Sequence, residues 1–552
     1  MKDPKLVRQY RVLDVDLANY QDKLGGSRRN EASLFIPTKA NQRLMQSELD
    51  ALLVRQQELP APDEVFSIIK DHMGDFINGL QLSLNDAFSA PSSRIAAMGR
   101  VFSGMRNDTR PALERKTHME NRFGQFAAFF EAVIELLPEL PTAELNALHS
   151  RTATACTVLE IDKPNVPTIL EDLSAADLSE LQQHMEAFQK DTVGGWIAKL
   201  EETIAARGEV ASQAVRSETD TAMIDAAVYR KALEAHGVDL DYMLSWYEAD
   251  VEKTRSECFR IANALATTTK PVTSMAEVND ILLKYAGAAA SPEEMFERAT
   301  EYVIRCTAAA HEFIWLPDDS VCLPTAMHKS MKASYPWGHG GSTNLNLRPF
   351  NGRFGLNDEN YMAITDGWIK INCCHEVHPG HYTQQLRNHL DPLPEVFKRG
   401  AKSTCMTEAM CVRTEKLFEF VFAEDPYYPL FTAYRRHHTS VRIMIDLWLR
   451  VFGKTIGDVV DLYVKELAFD RVTARKQVQA HENDLGYFTT YYYGYRKVAE
   501  WEKLYGFDKR EYTELLFSLS RTSLETFERY LKLSDDDRYA LTHEFGSLIQ
   551  FK

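Results

Sequence analysis

A proline and a glycine interrupt the run His375-Glu376-Val377-His378-Pro379-Gly380-His381, and no continuous helix survives them. Pro379 lacks the amide proton that the helical ladder requires, and its ring collides with the carbonyl four residues back, that of His375. The residue before it is driven out of helical conformation as well. The helix carrying His375 must therefore kink, or end and restart, at this point. His375 and His381 are six residues apart and would point in different directions along an unbroken helix. Across a break they can converge. His375 with His378, or His378 with His381, are the alternative pairs at i,i+3 spacing. The zinc-binding helix pattern His-Glu-x-x-His is absent, because the position four after His375 is Pro379.

Three imidazoles and a carboxylate in seven residues are a metal-site composition. Neutral imidazole is the commonest zinc ligand, and a catalytic zinc takes three protein ligands and keeps one position open. Ile364, Trp368, Ile371 and His375 follow steps of four, three and four, a stripe that delivers the histidine to the interior, with Asn357-Asp358 as the expected helix start. A third ligand is expected at Glu408. It shares a helical face with Glu415, Cys411, Phe418 and Phe422, which points it inward. The competing reading of Glu408 is a buried ion pair with Arg442 or Arg450.

The 552 residues suffice for one large domain or two to three ordinary ones. A formal charge of −16 argues against nucleic acid or an anionic membrane as partner. Met1-Lys2-Asp3-Pro4-Lys5 begins no apolar leader, and no apolar run of about 20 residues follows. The expectation is a cytoplasmic protein, with homo-oligomerisation left open. The eight cysteines have no Cys-x-x-Cys spacing. Of Cys373 and Cys374, about 100° apart on a helix, at most one can face a metal.

Helical periodicity dominates. Ser174 caps one helix, Ser291-Pro292-Glu293-Glu294 gives N-cap, proline and an acidic first turn for another, and Ser534 opens the last. Between about 313 and 360 the pattern breaks into Pro, Gly and Asn with short β-like runs, including Trp337-Gly338-His339-Gly340-Gly341-Ser342. Such a segment suits a hairpin presenting backbone groups to an extended substrate. Residues 1–310 read as a helical scaffold and 311–552 as the metal-binding catalytic region, within one continuous unit.

These residues resemble a family of bacterial proteins, domain of unknown function 885, grouped with zincin-like metallopeptidases. Its His-Glu-x-x-Pro-Gly-His-His-x-Gln is matched from His375 to Gln384 except at Tyr382. An upstream block is similar to Gly352-Arg353-Phe354-Gly355-Leu356-Asn357. Downstream, the family's Glu-Gly-Trp-Ala-Leu-Tyr-x-Glu is matched at Glu408 and Glu415, its Arg at Arg442 ahead of Asp446, and a later block at Gly486, Tyr491 and Gly494. The five blocks span roughly 310 to 500. Departures fall at Tyr382, Met410, Arg413, Arg450 and Tyr487, where a change of substrate would be expected to register.

The resemblance implies a mainly α, large zincin-like helical metallohydrolase fold, with a small β hairpin or edge sheet lining the cleft. It also implies one zinc per chain on His375, His381 and Glu408, with Glu376 as base. Tyr491 is the expected oxyanion donor, and His481 a further donor or supporting residue. Arg442 is expected to fork a substrate carboxylate, with Arg353 and Arg450 completing the substrate-binding set. Arg435 and Arg436 read as a solvated face. The activity implied is hydrolysis of a peptide or amide bond in a small peptide or acyl-amino-acid-like substrate. The rivals are a lyase or oxygenase using the same metal, and a degenerate helical interaction protein. A di-iron bundle would need Glu-x-x-His, and none of the sixteen histidines has an acid three residues earlier.

Overall fold

The computed structural model describes residues 2–25, 34–95, 98, 110–208, 216–265, 270–327, 329–332, 337–342, 345 and 348–546. It is mainly α-helical with one small three-stranded sheet. Two compact units are present, one of Met1–Val215, His328–Ala333 and Ser547–Lys552, the other of Arg216–Met327 and Ser334–Gly546.

The first unit is built from the long helices α1 (Pro4–Lys23), α2 (Lys39–Glu58), α3 (Glu64–Ser89), α4 (Ala112–Leu136), α5 (Thr142–Asp162), α6 (Ala175–Ala187) and α7 (Gly194–Ala205). Their starts follow local chemistry: Thr38, Asp63 and Ser174 each cap a helix by accepting from an amide two or three residues on. Aromatic residues of α4 fill its core. Phe123 stacks on Phe188, and Phe130 on Trp196 of α7, whose indole N–H donates to Thr152 at 3.1 Å.

The second unit carries the sheet and the His-rich segment. Its principal helices are α8 (Tyr247–Leu265), α9 (Pro292–Ala310), α10 (Asp366–Asn372), α11 (His381–Leu390), α12 (Thr404–Leu417), α13 (Tyr428–Arg450), α14 (Ile456–Leu467), α15 (Arg471–Asn483) and α16 (Thr490–Tyr505). Ser291 caps α9 as its sequence dictates, and Ser534 caps Asp535–Tyr539. The start of α10 lies later than Asn357-Asp358. Those residues begin a 3₁₀ turn over Asp358–Ala363, and Thr365 caps α10 by accepting from the Trp368 amide at 3.2 Å. Asn357 makes no side-chain cap, so the nearer hydroxyl wins.

The strands are β1 (Ser320–Ala326), β2 (Gly338–Ser342) and β3 (Phe350–Leu356), ordered β1-β3-β2. β1 runs parallel to β3, Ser320 opposite Phe350, and β2 antiparallel to it, Gly340 opposite Phe354. The β-like runs between 313 and 360 thus become a sheet rather than a hairpin alone. Its edge strand β2 lies against the turn that carries His375 and against α11.

Helix α13 is the axis of this unit. It is buried on nearly every side, although it carries Arg436, His437, His438, Arg442, Asp446 and Arg450. The expectation that Arg435 and Arg436 face solvent is corrected here: only 14% of the Arg435 side chain is exposed, and Arg436 is buried. A charge run reads as a solvated face only when a helix has an outer side, and α13 has almost none.

Candidate metal centre

Helix α10 ends in a π-helical turn, Cys373–Val377, and the chain then breaks at His378 and Pro379 before α11 restarts at His381. The break brings the backbone back onto itself. A Cβ on Gly380 would stand 1.9 Å from the His375 carbonyl oxygen, so only glycine admits this reversal. The two histidines on either side converge, their rings 4.9 Å apart and nearly perpendicular.

Glu408 comes to them from α12. Its Oε2 lies 3.6 Å from His375 Nε2 and 3.5 Å from His381 Nε2, and ligand atoms of all three residues fall within 4.8 Å of one another. Ligands placed tetrahedrally about 2.0 Å from a zinc are separated by roughly 3.3 Å. Glu408 Oε2 is buried without a hydrogen-bond partner, which is what an oxygen reserved for a cation looks like. The site therefore fits a metal ion on its own geometry. Helix α12 reaches this position because it crosses α16 closely: a Cβ on Gly494 would be 2.4 Å from the Cys405 carbonyl oxygen.

Each of the three candidate ligands is oriented by a further group, as metal ligands generally are. His375 Nδ1 meets Glu415 Oε1 at 2.9 Å, and His381 Nδ1 meets Gln384 Oε1 at 3.3 Å and Cys411 Sγ at 3.4 Å. Tyr487 donates to Glu408 Oε1 at 2.8 Å and lies 2.9 Å from the Tyr491 hydroxyl. Burial disfavours charge on His375, His381, Glu408 and Glu415, yet the mutual attraction of imidazole and carboxylate outweighs it. Glu408 is held well below the usual carboxylate range by His381 and His375, and His375 is raised by Glu408 and Glu415. The competing reading of Glu408 as a partner of Arg442 or Arg450 does not hold.

Glu376, next to His375, is half-buried and accepts the Gly340 amide of β2 at 2.9 Å. Tyr491 stacks parallel to His375, ring centres 6.2 Å apart. His378 faces away: its Nδ1 meets Thr383 Oγ1 at 2.8 Å, and burial pushes its pKa down to about 3. Cys373 and Cys374 also turn inward, Cys374 Sγ lying 3.6 Å from Cys306 Sγ, and burial raises both thiols well above their ordinary range.

The other expected site residues separate. His481 lies in a buried chain in which Nδ1 meets Asp446 at 3.0 Å and Nε2 meets the Tyr463 hydroxyl at 2.9 Å. Both ring nitrogens are thereby engaged away from the three ligands. Arg450 spends its guanidinium on the carbonyls of Ala222, His481 and Glu482, and Arg353 sits on the exposed face of β3. Arg442 stays near the cluster, over the Tyr491 ring at 5.0 Å. Glu415 behind His375 and Tyr487 on Glu408 are contacts not expected from the sequence, although the seven-residue spacing of Glu408 and Glu415 signals the first. Among the departures from the family pattern, Tyr382 donates to the Phe350 carbonyl, Met410 receives Gln384, and Arg413 pairs with Glu502. Only Tyr487 touches the cluster.

Among the described residues, no helix is long and apolar enough to cross a membrane. The fold is shared with two solved structures. One is a "putative lipoprotein" from Colwellia psychrerythraea, 14% identical, with a TM-score of 0.74 over 96% of this chain and 98% of that one. The other is a "putative lipoprotein of unknown function" from Shewanella oneidensis, 16% identical, with a TM-score of 0.69 over 96% of this chain and 100% of that one. These descriptions overturn the cytoplasmic expectation: negative charge and the lack of a spanning helix do not assign a compartment to this fold. No curated protein matches the sequence. Residues 13–516 match the family model described as a bacterial protein of unknown function, DUF885, and the chain belongs to that family.

Proposed function

We propose that this protein is a zinc-dependent hydrolase of the zincin-like kind, cleaving a peptide or amide bond in a small peptide or acyl-amino-acid-like substrate. The observation that carries the reading is the convergence of His375, His381 and Glu408, with an unpartnered Glu408 oxygen between the two imidazoles. Zinc held by these three residues would supply Lewis acidity, lowering the pKa of water and polarising a carbonyl.

The chain's own residues do the rest. Glu376 accepts the proton of the attacking water and passes it to the leaving nitrogen. The Gly340 amide holds that carboxylate against the edge strand. Beyond this contact β2 is an edge, and an edge offers backbone donors and acceptors to an extended substrate. In the free protein the Tyr491 hydroxyl bonds to Tyr487; during reaction it turns to the developing oxyanion. Arg442 grips a substrate carboxylate. His481 and Arg450 act as supports, holding Asp446, Tyr463 and the nearby carbonyls in place.

The test is elemental analysis joined to an assay against peptides and acyl-amino acids, with Glu376→Gln as control. About one zinc per chain is expected. Glu376→Gln should keep the zinc and lose turnover by on the order of a hundredfold to ten-thousandfold. Stoichiometric iron with negligible zinc, or near-normal turnover by Glu376→Gln, would overturn the assignment.

A further inference from the structure

Helix α13 sets a second group of side chains beside the metal centre. Arg435, His438 and Arg442, three and four residues apart, share one face of the helix. Each has a buried nitrogen without a hydrogen-bond partner: Arg435 Nε, His438 Nε2 and Arg442 Nε. Arg442 and His438 are only 6% and 4% exposed.

The charges on this face are not balanced. Arg442 lies over the rings of Phe488 and Tyr491, 4.9 and 5.0 Å from their centres. Burial and then the Arg435 charge weigh against its positive charge, while the phenols of Tyr463, Tyr491 and Tyr487 favour it. Arg435 has Glu415 at 3.7 Å, but that carboxylate is already bonded to His375. His438 stands edge-on to Phe469 and Tyr463, and burial together with the two guanidinium charges keeps it neutral. A neutral imidazole protonated on Nε2 is a hydrogen-bond donor. Buried cations are ordinarily paired, because an uncompensated charge in an apolar interior is strongly unfavourable. A face with two guanidinium groups, one shared carboxylate and an imidazole has donors to spare for a negatively charged guest.

The location ties this face to the metal centre. Tyr491, under Arg442, bonds to Tyr487, which bonds to Glu408. Building on the hydrolase reading of that centre, we propose that Arg442, Arg435 and His438 form a subsite for the acidic end of the substrate, a terminal residue bearing two carboxylates. Arg442 takes one carboxylate, and Arg435 with His438 Nε2 takes the other. The seven residues from Arg435 to Arg442 cover roughly 10 Å of helix axis, a span that two long side chains and a short dicarboxylate bridge and a monocarboxylate does not. The substrate class is therefore a peptide or acyl-amino acid ending in an acidic residue.

Binding to the intact purified protein, read by calorimetry and thermal shift with glutarate and butyrate as probes, tests this without turnover. Failure to find hydrolysis would then count against the metal chemistry and not against the subsite. Glutarate is expected to bind at least about tenfold tighter than butyrate, the worth of one further charge-assisted contact. Arg442→Gln and Arg435→Gln should each weaken glutarate by about 30-fold or more, while leaving unchanged or raising the Tm of the ligand-free protein, since each removes a poorly compensated buried charge. Should Arg442→Gln fail to fold, Arg435→Gln at the half-buried end of the face carries the test. Equal affinity for glutarate and butyrate would overturn the proposal. So would substitutions that lower the Tm of the free protein and leave glutarate binding as it was.

Discussion

Glu415 stands directly behind His375: its Oε1 meets the ring Nδ1 at 2.9 Å, and none of its side chain reaches solvent. Burial would raise its pKa, but His375 and Arg435 outweigh burial and lower it, so it is an ionised acceptor. An acceptor at Nδ1 places that proton there and leaves Nε2 free on the Glu408 side. Glu415→Gln should weaken zinc binding by about 10- to 100-fold, the usual effect of losing such a support, with little change in fold. Chelator competition measures it. Unchanged zinc affinity would reduce Glu415 to a partner of Arg435.

Gly380→Ala tests the backbone reversal. A Cβ 1.9 Å from the His375 carbonyl oxygen forces the π turn aside, and that turn holds a ligand. Overpacking of this kind costs about 1–3 kcal/mol, so the urea midpoint and the metal content should fall together. A variant that loses stability and keeps full metal would show that the turn can relax without moving His375.

The two phenols near Glu408 should separate. Tyr487→Phe removes the donor to Glu408 Oε1 and should weaken metal binding by about tenfold or more. Tyr491→Phe leaves that bond in place. It should spare metal affinity and lower kcat by roughly a hundredfold to a thousandfold, as loss of an oxyanion donor does. Equal effects of the two substitutions on metal binding would make Tyr491 part of the ligand support instead.

His378 gives a pH signature. Burial depresses its pKa to about 3, against about 6.5 in an unfolded chain. The folded state therefore favours the neutral ring. That contribution is present above pH 6.5 and is lost as the pH falls toward 3, at about 1.4 kcal/mol per unit. His378→Asn should lose about 2 kcal/mol less stability than the parent between pH 6.5 and pH 5, measured by urea unfolding at each pH. Parallel curves for the two proteins would mean that His378 titrates normally in the folded state.

Much of the site was readable because it is written in local covalent geometry. Pro379 forbids a continuous helix whatever surrounds it, so the divergence of His375 and His381 had to be broken there, and α11 does restart at His381. Hydroxyl caps at Ser174, Ser291 and Ser534 were legible for the same reason, since cap and amide are two or three residues apart. The cap of α10 was misplaced because two local candidates competed and Thr365 had the better geometry.

What lay beyond reach was whatever depends on residues distant in the chain. Arg435 and Arg436 look like a solvated face in sequence, and only the packing of other helices around α13 buries them. Arg450 resembles Arg442 as a residue type, yet it meets three backbone carbonyls while Arg442 lies over the rings of Phe488 and Tyr491. The sequence by itself determined the elements, the break and the side chains able to hold a metal, because those follow from torsions and donor atoms within a few residues. The tertiary structure alone decided that Glu415 backs His375, that Tyr487 holds Glu408 and that α13 keeps cations in the interior, because burial and pairing are properties of surfaces the chain forms only when folded.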